Sequence, residues 1–218
     1  MRRLLLFWGS TVGKKVVMAV TGIVLVGFVI GHMLGNLQMF RDAEAMNNYA
    51  AFLKSTGGLL WVARAGLLTA AVLHIIAAVQ LTLINRAARP TAYVRRDPQV
   101  ATFASRTLRW GGVILAVFIV YHLGHFTTGT FHPAFSHRDV YGNVIIGFRS
   151  VWVALFYVIA MASLGLHLFH GVWAGVRTLG LQQRSEVPIQ RTVALWVAIV
   201  VWAGFTMIPV AVLLGVLN

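Results

Sequence analysis

The chain reads as an all-α membrane protein, a single five-transmembrane-helix bundle, on three observations. Of its 218 residues, 59% are hydrophobic and only 11% charged, with a mean hydropathy of +0.80. A water-soluble domain needs far more charge on its surface. The charged residues also divide the chain into five uncharged stretches, residues 16–40, 65–85, 110–137, 150–176 and 192–218. Each exceeds the roughly 20 residues that cross a bilayer as a helix. Finally, the basic residues alternate in density between successive linkers. Arg2, Arg3, Lys14 and Lys15 precede the first span, and Arg86, Arg89, Arg95, Arg96, Arg106 and Arg109 join the second to the third. Arg177, Arg184 and Arg191 join the fourth to the fifth, which leaves Arg41, Lys54, Arg64, Arg138 and Arg149 on the opposite side. By the positive-inside rule the N-terminus is expected in the cytoplasm and the C-terminus outside.

The elements follow in order. Span one carries His32 and the glycines Gly27, Gly31 and Gly35, four residues apart. The segment 47–60 has helical character until Thr56-Gly57-Gly58 breaks it. Span two carries His74. The following loop, 86–98 (RAARPTAYVRRDP), is basic and punctuated by proline, as an ordered cytoplasmic loop is. Span three carries His122 and His125, and its outer continuation, 131–143 (FHPAFSHRDVYGN), is polar and aromatic. Span four carries His167 and His170, followed by Gly171 and Gly175, and span five has no histidine. There is no internal repeat or low-complexity tract. The basic inner surface suits a docking partner, with anionic lipid as the plainer occupant.

Composition excludes several classes. The net charge of +13 flanks apolar spans, so it reads as topology and not as a nucleic-acid footprint. The start, MRRLLLFW, imitates a signal peptide, but no A-x-A-like site follows and no cleavage is expected. With no cysteine, this subunit offers no disulfide, thiolate haem ligand, iron–sulfur ligand or covalent C-x-x-C-H attachment.

What remains is histidine. An ionisable side chain in a span is expensive and marks function, and imidazole is a standard axial ligand of haem iron. Four spans with an imidazole each suffice for two bis-histidine haems. Depth can be counted from the inner charged boundary at about 1.5 Å per residue. On that count His32 lies about 25 Å in from Lys15, and His122 about 20 Å in from Arg109. His74 lies about 18 Å in from Arg86, and His167 about 15 Å in from Arg177. This makes His32 and His122 the outer pair, His74 and His167 the inner pair. His125 and His170, each three residues on, share a helix face with His122 and His167, and depth alone favours His125 as partner for His32. The glycines beside these histidines let a flat macrocycle approach, although small-xxx-small helix packing accounts for them equally well.

Four segments carry a resemblance. They are residues 13–22 (GKKVVMAVTG) leading into 32–37 (HMLGNL), 85–90 (NRAARP), 121–133 (YHLGHFTTGTFHP) and 165–173 (GLHLFHGVW). Together they resemble the di-haem cytochrome b558 membrane-anchor subunit of bacterial succinate dehydrogenase and fumarate reductase (complex II), over nearly the whole chain and in the same order. The resemblance implies a five-helix anchor in the bacterial plasma membrane that holds two b haems beside a flavoprotein subunit and an iron–sulfur subunit. It implies axial ligation by His32 and His74, which have no local competitor, and by His122 and His167, the first histidine of each local pair. It also implies electron passage between the clusters and a membrane quinone, menaquinone being the favoured one, by way of the inner and then the outer haem. Arg106, Arg109 and Arg177 are candidate partners for inner propionates, with topology as their alternative role. Arg41, Asp42, Glu44 and His125 lie toward the outer side, where a quinone would exchange protons; solvated loop positions are the plainer reading. One departure stands out: some di-haem fumarate reductases carry a glutamate two residues before the fourth-helix ligand, where this chain has Gly165.

Two rival classes remain. One is a cytochrome b of another quinone- or ascorbate-linked reductase; the quinol–cytochrome c reductase type sets two ligands on one helix about two turns or more apart, whereas the pairs here are three residues apart. The other is a non-redox transporter with a histidine relay, which usually brings acidic intramembrane partners or broken helices.

Overall fold

A computed structural model of the chain describes residues 2–88, 103–181 and 189–218, with the side chains of Arg2, Leu4 and Leu5 left aside. The basic loop positions Arg89, Arg95, Arg96 and Arg184 lie outside the described residues. All regular structure among the described residues is helical: α1 (Arg2–Gly9), α2 (Thr11–Asn36), a 3-10 turn (Leu37–Phe40), α3 (Ala43–Ser55), α4 (Gly58–Ala87), α5 (Phe103–Phe126), α6 (Val140–Phe148), α7 (Val151–Thr178) and α8 (Ile189–Leu213). Five of them, α2 with its 3-10 turn, α4, α5, α7 and α8, are long and apolar enough to cross a membrane. Their outward faces carry large apolar side chains such as Leu68, Val120 and Trp152. Lipid, not water, is the solvent such a surface fits.

The spans differ from the uncharged stretches at their ends, for identifiable reasons. The first helix starts at Thr11, before two lysines, because Lys14 is accommodated: its Nζ donates to the carbonyls of Trp8 (2.5 Å) and Gly9 (3.2 Å) at the end of α1. A cation there satisfies orphan carbonyls and the negative end of the helix dipole. The second span extends outward past Arg64, whose guanidinium lies 5.0 Å over the Trp61 ring. The third ends at Phe126, eleven residues short of the expected His137. No charge marks that end; a turn closed by Phe131 N–H to Gly124 C=O, with Gly129 at φ +75°, ends the helix. The fifth stops at Leu213, where Gly215 adopts φ +71°, as a left-handed helix terminus requires.

The segments joining α2 to α4 and α5 to α7 are more ordered than their sequences imply. Helix α3 starts at an Asp42 cap, Oδ1 accepting from Ala45 N–H at 2.6 Å, and ends at Thr56-Gly57. Helix α6, not anticipated, is capped by Asp139 through Gly142 N–H at 2.9 Å. Asn47 of α3 ties the two together, its Oδ1 accepting from Val140 N–H (2.8 Å) and Tyr141 N–H (3.0 Å).

Among the spans, α7 packs against α8, α5 and α2, and α2 packs against α4. Helices α4 and α5 are not among the closely packed pairs. In the quadrilateral of α2, α4, α5 and α7, the diagonals are therefore α2–α5 and α4–α7. The main core, around Met39, Phe118, Phe148, Tyr157, Met161 and Ile208, fills the half of the bundle that carries α3 and α6; a second cluster around Met33, Leu168 and Val201 joins α2, α7 and α8.

Candidate functional site

Both diagonals carry facing imidazoles. His32 on α2 and His122 on α5 have ring centres 5.8 Å apart. His74 on α4 and His167 on α7 have ring centres 6.3 Å apart. A metal held between two imidazoles stands about 2 Å from each nitrogen, which separates the ring centres by about 6 Å. Both separations suit one iron between two rings. No group of three or more His, Cys, Asp or Glu converges among the described residues, so the imidazoles meet in pairs. Pairwise neutral nitrogen donors match bis-histidine haem ligation better than a tetrahedral site.

The hydrogen bonds around the rings assign nitrogens. His74 Nδ1 lies 3.0 Å from the Met18 carbonyl and 3.2 Å from Thr21 Oγ1. Since a carbonyl only accepts, Nδ1 donates and the Nε2 lone pair is left for a ligand. Thr21 has its own donor turned back onto α2, bonding the Val17 carbonyl at 2.7 Å. His122 Nδ1 lies 3.3 Å from the Tyr157 hydroxyl. The contacts of the His32 ring are aromatic: Phe28 stacks on it at 5.3 Å and Phe205 lies at 5.8 Å. His167 Nδ1 is buried with no hydrogen-bond partner among the described residues.

Glycines bear on whether a macrocycle fits. A Cβ built on Gly27, Gly31, Gly171 or Gly175 meets no protein atom within 4 Å, so these positions do not serve close helix packing within the chain. Gly22 lies beside the His74 ring, where a Cβ would come 3.4 Å from Cε1. The observed donor set and the open faces beside it fit two flat, bis-imidazole groups.

The second histidine of each local pair is placed differently. His125 is 1% exposed and bonds Tyr157 Oη through Nδ1 at 3.0 Å. Its ring packs on Phe126 (4.0 Å) and His132 (5.2 Å), and the edge bearing Cε1 and Nε2 faces Gly147. The ring opposite His32 is that of His122. His170 is half-buried, and its Nδ1 has no partner among the described residues. His132 is structural: Nδ1 accepts from Ala134 N–H (3.1 Å) while Nε2 donates to the Asn143 carbonyl (2.8 Å).

Arg106 and Arg109 are exposed on the first turns of α5. Arg177 lies 5.4 Å over the Trp173 ring, with Arg191 at 5.5 Å from the same ring. Of the outer polar residues, Asp42 is a helix cap, Glu44 accepts from Asn48 at 3.4 Å, and Arg41 bonds Gln38. Tyr157 and the Met18–Thr21 turn were not singled out from the sequence. A tyrosine inside an apolar run was the available signal, since a buried phenol seeks a hydrogen-bond partner.

At the end of the bundle that carries α3 and α6, a cleft of about 440 Å³ opens between Lys54, Trp61 and Arg64 on one side and Phe126, Phe135 and Asn143 on the other. Phe126 lines it, and the Phe126 ring lies 5.9 Å from that of His122. Compared with models of known protein families, with curated proteins and with solved structures, the chain matches none of them.

Proposed function

We propose that this chain is the membrane-anchor cytochrome b subunit of a succinate:quinone oxidoreductase of the complex II type. The observation that carries the reading is the pair of imidazole diagonals, 5.8 and 6.3 Å between ring centres, inside a bundle of five membrane-length helices. When bound, two b haems supply one-electron transfer between partner-subunit iron–sulfur clusters and a membrane quinone, of which the resemblance favours menaquinone. The chain's own residues do the rest. His32 and His122 hold the outer group, His74 and His167 the inner one. Met18 and Thr21 orient the inner ligand through its Nδ1, and a ligand oriented in this way is a stronger donor. Phe28, Phe118 and Phe205 exclude water around the outer rings.

On this reading the N-terminus and the basic loops face the cytoplasm of a bacterial plasma membrane, where flavoprotein and iron–sulfur subunits dock, and the C-terminus lies outside. Arg106, Arg109 and Arg177 stand near the inner boundary for propionates or partner subunits. The quinone approaches through the outer cleft, whose Lys54, Arg64 and Trp61 are of the residue types that favour the lipid headgroup region. The three acids among the described residues, Asp42, Glu44 and Asp139, all sit at the outer ends of helices, and no acid occurs within a span. No transmembrane carboxylate route for protons follows.

Pyridine haemochrome quantitation on the purified complex tests the reading. The expected result is two non-covalent b haems per copy of this chain; one or none would overturn it.

A further inference from the structure

Tyr157 on α7 is 5% exposed, and its hydroxyl stands between two imidazoles of α5, 3.3 Å from His122 Nδ1 and 3.0 Å from His125 Nδ1. A hydroxyl has one proton to give and two lone pairs to receive with. It therefore cannot donate to both nitrogens, and at least one of the two histidines turns an Nδ1–H toward it.

Resting on the haem reading above, we propose that Tyr157 is the positioning residue of the outer imidazole pair. It closes a one-way hydrogen-bond relay, His122 Nδ1–H to Tyr157 Oη, and Tyr157 Oη–H to His125 Nδ1, that frees Nε2 of His122 for iron and commits His125 to support. With Nε2 of His122 given to a metal, its proton would sit on Nδ1 and be donated to Oη, which leaves the phenol proton free for His125 Nδ1. The contact lengths agree, since O–H donors bond at shorter range than N–H donors.

The surroundings hold the relay in place. The Tyr157 ring is enclosed by Phe118 (5.0 Å), Phe148 (4.8 Å) and Phe126 (5.7 Å). His125 is fixed from behind by α6: a Cβ on Gly147 would come 2.9 Å from its Cε1 and 3.0 Å from its Nε2. That edge has no room for a metal and its ligands. Neither the phenol nor the second imidazole can turn away without disturbing packed rings. The inner pair is supported differently, by the Met18 carbonyl on His74 alone, while His167 Nδ1 has no protein partner among the described residues. The two sites are thus built with different acceptors behind the ligand. An acceptor on Nδ1–H strengthens the imidazole as a donor and favours oxidised iron.

The test is Tyr157→Phe in the full purified complex, which keeps the ring and removes the hydroxyl. Reductive titration followed optically reads both haem components, the outer one identified by its loss in His32→Ala. The expected result is two haems still bound and low-spin, the outer midpoint potential shifted upward, and the inner one unchanged. Adding His125→Leu to Tyr157→Phe should shift the outer potential no further, because His125 acts through the phenol. An unchanged outer potential in Tyr157→Phe, or a further full shift from His125→Leu, would overturn the relay while leaving the di-haem reading intact. A wild-type complex without haem would overturn both.

Discussion

An imidazole can hold a metal only through a nitrogen with a free lone pair, so the partner of its other nitrogen decides its role. By this measure the histidines sort by their neighbours and not by their sequence context. His132 has both nitrogens engaged by backbone and is a strut of the outer cap. His132→Ala should cost about 1–3 kcal/mol through the unpaired Asn143 carbonyl and Ala134 N–H, read as a lower thermal midpoint, and on the proposed function both haems are retained. His122 and His125 share a helix face and could not be told apart by spacing; the difference between them lies in Tyr157 and Gly147, 35 and 22 residues from His122 and His125 respectively. On the proposed function, His122→Ala abolishes the low-spin spectrum of one haem, whereas His125→Ala and His170→Ala keep both haems six-coordinate. Electron paramagnetic resonance of the oxidised complex separates these cases, and loss of a low-spin signal in His125→Ala with retention in His122→Ala would reverse the assignment.

At the level of elements, the five spans were legible because charge avoidance is enforced along a whole helix. Their ends were not, because a helix can accommodate a cation that finds carbonyls, as Lys14 does, or an aromatic ring, as Arg64 does. Conversely, an uncharged segment need not be helical, as residues 127–137 are not. Helix α6 was hidden for a further reason. Its nine residues are stabilised by tertiary partners, the Asp139 cap and the Asn47 side chain from α3. Removing either should weaken the outer cap before the bundle. Asn47→Ala, which strands the N–H groups of Val140 and Tyr141, and Asp139→Ala should each cost about 0.5–2 kcal/mol. Proteolysis of the outer loops in detergent micelles should accelerate in both variants, with the spans left intact. Equal protection in variant and wild type would mean that α6 does not depend on these caps. Gly147→Val should be worse, since its side chain would collide with His125 and Phe126, and overpacking of this kind costs about 1–3 kcal/mol.

For the whole molecule, the arrangement of α2, α4, α5 and α7 matters more than any single contact. Depth counted along each helix ranks His32 and His122 above His74 and His167, although it favours His125 over His122 opposite His32. The fold sets His32 with His122 and His74 with His167 across its two diagonals at 5.8 and 6.3 Å. Rise per residue is uniform in helices, which is why depth could be read from the chain. Azimuth, and hence which helices are diagonal, depends on packing between α7, α5 and α2, which no local pattern records. The orientation in the membrane is a prediction at this scale: reporter fusions after Asn218 should be active only on the outer side, and after the basic segment at Arg86 only on the inner side. Activity on the opposite sides would invert the assignment of the docking face and of the quinone cleft.

The central claim is that each diagonal holds one haem. Potentiometric titration of four single variants in the assembled complex tests it most directly. His74→Ala and His167→Ala should lose the same component, and His32→Ala and His122→Ala the other, each leaving one haem per chain. Loss of different components by His74→Ala and His167→Ala, or of one shared component by all four, would contradict it.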